Sequence, residues 1–174
     1  LVTGVQTCAL PIFGLLLPAV QSARAAAQRS ACSNNLRQLA LALASSESAN
    51  GCFPTTDVAG GFSIQARLLP FMEQLGIATK INFNNPLTTG AFNAQRPFDA
   101  TAAAVMAAPI PVMLCPGDPA KPLTTVSVVS GTTYDVAGIN YMVSIGSGTE
   151  LFYDQRWPTD GIVHEKSKVR LVEI

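Results

Sequence analysis

The chain has 174 residues, 48% hydrophobic and 13% charged, and its 11 basic and 11 acidic side chains cancel to a formal net charge of zero. So apolar and weakly charged a chain is not intrinsically disordered, and it lacks the basic excess that marks a nucleic-acid binder. Its length suits one domain.

The first stretch, "VTGVQTCALPI" at residues 2–12, shares neither composition nor periodicity with the residues after it. It coincides with the in-frame translation of an adapter used in short-read sequencing. Residues 1–12 are therefore expected to be an artefact and are set aside from fold reasoning. At the other end, "HEKSKVRLVEI" stops on an apolar run, and the chain is expected to be a fragment of a longer protein.

Residues 13–50 read as one helix, dominated by Ala, Leu, Gln and Arg, all good helix formers. Pro18 is expected to kink it or mark its start. Cys32, Leu36, Leu39, Ala40 and Leu43 recur at helical spacing and form an apolar stripe, with Asn34, Arg37 and Gln38 opposite. Leu36, Leu39 and Leu43 are the expected packing residues. Asn50 or Gly51 is expected to close the helix in the left-handed conformation. Such a helix would be roughly 55 Å long. Its only natural apolar run, residues 13–20, is much shorter than the roughly 20 residues of a membrane span.

After residue 50, Gly, Pro, Ser, Thr and Asn are plentiful, which favours short elements and loops. "SIQARLLPFMEQ" at 63–74 reads as a short helix interrupted by Pro70. Residues 82–96 read as a loop, and Asp99 as the N-cap of a helix to about residue 107. Strands are expected at 112–115, 124–129 and 139–145, with weaker ones at 161–164 and 169–174. This order predicts an α+β domain, with helices on one side of a small antiparallel sheet.

The cysteines are Cys8, Cys32, Cys52 and Cys115. Cys8 falls in the stretch set aside. The other three include no CxxC pair and the chain has one His, so no zinc site is expected. One disulfide with an odd thiol fits an exported protein, and three reduced thiols fit a cytosolic one almost as well.

"LLLPAVQSARAAAQRSACSNNLRQLALAL" at residues 15–43 resembles the opening of the bacterial family called domain of unknown function 1559, DUF1559. Further marks come in order: "FP" at 53–54, "LLPFMEQ" at 68–74, and "LCPGD" at 114–118, close to the family's LCPSD. "INYMVSIG" at 139–146 and "DGIVHEKSKVRLVEI" at 160–174 complete the likeness. The resemblance implies a pilin-like or pseudopilin-like fold, a long N-terminal helix packed on a small antiparallel sheet. It also implies a prepilin-type leader and membrane helix in front of "LLLPAVQ", where residues 1–12 stand here. The implied organisation is a truncated stem at 13–50 and a head at 51–174 that lacks its C-terminal part. Cys32 and Cys115 occupy the family's two cysteine positions, so the resemblance implies a disulfide between them, with Cys52 left as a lone thiol.

No catalytic, cofactor or metal residues are expected. Asp154, Asp160, His164 and Glu165 read as a solvated turn, and Asp118 has no dense run of oxygen ligands around it, as a calcium site would need. Neither a G-x-S-x-G elbow nor a phosphate loop is present. The expected role is non-catalytic: an exported protein anchored in the cell membrane through its missing N-terminal helix and exposed to the periplasm or cell surface. Its expected partners are the membrane and copies of itself or pilin-like neighbours, with no nucleic acid. The alternative is a cell-surface module binding a ligand such as a glycan, with Phe152, Tyr153 and Trp157 as stacking candidates.

Overall fold

A computed structural model describes residues 6–55, 61–84, 98, 100–127, 132–143 and 168–171, with side chains in the first helix described from Leu16 onward. The architecture is α+β: a long N-terminal helix, several short helical elements and one small antiparallel sheet.

Helix α1 spans Gln6–Asn50, 45 residues or about 68 Å. It therefore starts before residue 13 and includes both Pro11 and Pro18. It ends at Gly51, whose φ of 75° is the left-handed conformation glycine adopts without steric cost. The Gly51 N–H donates to the Glu47 carbonyl at 2.7 Å, and Asn50 Nδ2 donates to the Ser46 carbonyl at 2.9 Å. The first of these bonds satisfies one of the carbonyls left over where the helix stops.

Helix α2, Ile64–Leu68, begins at Ser63, whose hydroxyl accepts from the Ala66 N–H at 3.4 Å. Pro70 prevents α2 from continuing as an α-helix. The chain tightens instead into a 3₁₀ turn, Leu69–Met72, and leaves it through Glu73 at φ 59°. Helices α3, Leu75–Ala78, and α4, Ala100–Met106, come next. Asp99, the expected cap of α4, lies outside the described residues.

The expected strand at 112–115 is replaced by a 3₁₀ turn, Pro111–Met113. Pro111 has no N–H to give a ladder, and its fixed φ suits the first position of a helical turn. The sheet is a hairpin of β1, Leu123–Ser127, and β2, Thr133–Ala137, paired in register from Leu123↔Ala137 to Ser127↔Thr133. β1 overlaps the strand expected at 124–129. β2 is an additional strand that the sequence reading does not include, although its Thr, Tyr and Val are good strand formers. Residues 139–143 are irregular where a strand is expected, and 168–171 likewise form no strand. Their polar groups are occupied elsewhere: the Asn140 N–H donates to the Met113 carbonyl at 2.9 Å, and the Phe53 N–H donates to the Val169 carbonyl at 3.0 Å. The expected strand at 161–164 lies outside the described residues.

Two apolar clusters form the core, and the first of them joins the head to the stem. Ala42, Ile64 and Leu68 form one, flanked by Leu43, Phe71, Met72 and Val143. Leu69, Ala78 and Met113 form the other, with Met72 and Ile110 among the residues packed around it. The principal partners of α1 are α2 and the two 3₁₀ turns, while β2 packs against α4. Tyr134 of β2 also meets Phe98 edge to face, with ring centroids 5.2 Å apart.

The face that α1 turns to the head differs from the expected stripe. It runs Cys32, Asn35, Leu39, Ala42, Leu43 and Ser46, rotated by roughly 50° at 100° per residue. Ala42 and Ser46 are each 1% exposed, whereas Leu36 is 54% exposed and belongs to neither apolar cluster. Leu39 is half-buried and Leu43 packs on the first cluster. Small side chains let the backbones of α1 and α2 approach closely, and a hydrophobic pattern alone favours leucines over them.

Candidate functional site

The strongest concentration of specific polar contacts lies where the middle of α1 meets residues 113–118 and 139–141. Cys32 and Cys115 are joined by a disulfide, their Cα atoms 5.0 Å apart across a sequence separation of 83. Around it, three side chains fix the backbone on both sides of the bond. Asn35 Nδ2, one turn along α1 from Cys32, donates to the Leu114 carbonyl at 2.8 Å. Gln28 Nε2 donates to the Pro116 carbonyl at 3.3 Å. From the other direction, the Tyr141 hydroxyl donates to the Cys32 carbonyl at 3.3 Å.

The loop is also closed on itself. The Asp118 N–H donates to the Cys115 carbonyl at 3.0 Å, making a tight turn over Pro116 and Gly117. Asp118 Oδ1 accepts from the Ala120 N–H at 2.9 Å, and Asp118 Oδ2 accepts from Asn140 Nδ2. The oxygen of the same Asn140 carboxamide accepts from the Cys115 N–H at 2.7 Å. Gln65 Nε2 of α2 donates to the Tyr141 carbonyl at 3.3 Å and ties this segment to the helical layer. A Cβ at Gly117 would stand 3.7 Å from Cys115 Sγ and 3.8 Å from Gln28 Cβ, ordinary contact distances. The first carbon of the serine in the LCPSD pattern therefore fits here.

This is a clasp of one covalent bond and a set of hydrogen bonds, each contributing of order 1 kcal/mol. It brings together "CSNN", "LCPGD" and "INY", stretches separated by up to about a hundred residues. The clasp carries no general base beside a nucleophile. Both oxygens of Asp118 are engaged within the loop. Among the described residues, no three His, Cys, Asp or Glu side chains group as metal ligands. Cys52 is a free, half-buried thiol in the turn after α1. Sequence reasoning misses Asn35, Asn140 and Tyr141 as partners of the cysteines. Their position inside the motifs is the available signal.

Phe152, Tyr153, Trp157, Asp154, Asp160, His164 and Glu165 lie outside the described residues. Arg24, Arg29 and Arg37 are exposed on α1. No helix among the described residues is long and apolar enough to cross a membrane.

Fold and clasp together define an α+β protein whose head is pinned by a disulfide to the middle of a long helical stem. The chain belongs to the family described as protein of unknown function (DUF1559), whose sequence model matches residues 21–174. No curated protein and no solved structure matches it.

Proposed function

We propose that this is a non-catalytic, exported, pilin-like or pseudopilin-like protein that acts by anchoring and by assembly or display. The observation that supports this most is the stem. From residue 16 to residue 30 nearly every side chain of α1 is exposed, including Leu16, Leu17 and Val20, and the apolar clusters of the head lie on the part beyond. A helix with no tertiary partner is marginal in water, so this half calls for something outside the chain to pack against. A neighbouring stem supplies an equivalent surface, and a membrane in front of it supplies an anchor. The disulfide fits an oxidising, extracytoplasmic compartment.

The test is photo-cross-linking in cells that make the protein, with a photoreactive residue placed at Leu17, Val20 or Arg24. Covalent multimers joined stem to stem are expected. Exclusively monomeric protein at all three positions, with cross-linking intact at a control pair in the clasp, would refute the assembly reading.

A further inference from the structure

The described head contains a cleft of about 540 Å³ between α2, α4 and β2, within the size range of small-molecule sites. It continues into a narrower recess of about 150 Å³ that shares Ile81, Val105, Met106 and Ile139 and reaches Leu69 and Met113 of the core. The two hollows thus share an apolar wall. Among the described lining residues Lys80 is the one charged group, and no carboxylate is present.

Of the four polar side chains at the mouth, Lys80, Asn82, Ser63 and Thr101, the first three can offer donors to a ligand. Lys80 offers only donors. The side-chain oxygen of Asn82 accepts from the Asn84 N–H at 3.1 Å, and its Nδ2 carries two donors that can face a ligand. The Ser63 oxygen accepts from the Ala66 N–H at 3.4 Å, which leaves its O–H to donate. Three donor groups, one of them positively charged, beside an apolar recess match a ligand with acceptor oxygens and negative charge at one end and hydrocarbon at the other.

We propose that this cleft binds a small amphipathic carboxylate, its apolar part among Ile81, Val105, Met106 and Ile139 and its carboxylate at Lys80, Asn82 and Ser63. The site adjoins the clasp at Met113 and Ile139 but does not depend on the assembly role of the stem. Titration calorimetry of the intact chain with octanoate, octanol and octylammonium tests it, because the three share a tail and differ in the head group. Octanoate is expected to bind saturably and octylammonium not at all. Lys80→Gln, a change at an exposed side chain, is expected to weaken octanoate about fivefold, the scale of one solvent-exposed charge contact. Val105→Trp is expected to abolish binding by filling the cleft, with circular dichroism showing whether the fold is kept. Equal binding of octanol and octanoate, octanoate binding indifferent to Lys80→Gln, or no saturable binding of octanoate would each overturn the proposal.

Discussion

Asn140 uses both ends of its carboxamide on one loop, accepting from the Cys115 N–H and donating to Asp118. That holds Cys115 where Cys32 can reach it, so the hydrogen bonds and the disulfide support one another. Sequence alone identifies the cysteines through their place in a motif, but nothing in their spacing of 83 residues says which backbone groups surround the bond. Closing a loop of that length removes denatured-state entropy. In the chain-entropy model the double substitution Cys32→Ser with Cys115→Ser lowers unfolding free energy by about 4.5 kcal/mol. Urea denaturation under non-reducing conditions should register that loss, and a change near zero would mean the bond does not form in solution.

At the scale of elements, the long helix and its glycine stop are legible because composition and capping chemistry act locally. β1 is legible from its β-branched run, and the break at Pro70 from the missing N–H. The face of α1 is not, because it depends on what packs there: Ala42 and Ser46 are buried while the bulkier Leu36 is exposed. The strand expected at 112–115, and the described part, 139–143, of the one expected at 139–145, fail for a related reason, since their backbone groups bond to one another and to side chains rather than to a ladder. Two substitutions separate the faces. Ala42→Leu forces extra volume against Ile64 and Leu68 and should cost about 1–3 kcal/mol. Leu36→Ala should cost less than about 0.5 kcal/mol, as at other exposed positions. The reverse order in thermal or chemical melts would restore the leucine stripe.

For the molecule as a whole, stability is distributed unevenly along the stem. Residues 39–50 share the apolar clusters or the helix cap, whereas residues 16–30 have few buried neighbours. Local opening tracks such differences. Hydrogen exchange on dilute protein should therefore find the amides of 16–30 far less protected than those of 39–50. Their protection should rise with protein concentration as stems associate. Uniform protection at every concentration would show that the distal stem is stable by itself, and the case for an outside partner would lose its basis.

The position of the disulfide also decides how the molecule bears a mechanical load. A pull applied at the distal stem and resisted beyond residue 115 travels down α1 to Cys32 and crosses directly to Cys115. The intervening segment is bypassed and cannot be drawn out while the bond is intact. At about 3.5 Å per extended residue, the 83-residue separation hides roughly 290 Å of contour from extension. Tension along the stem therefore leaves the helical layer, with the α2 and α4 sides of the cleft, outside the stretched path.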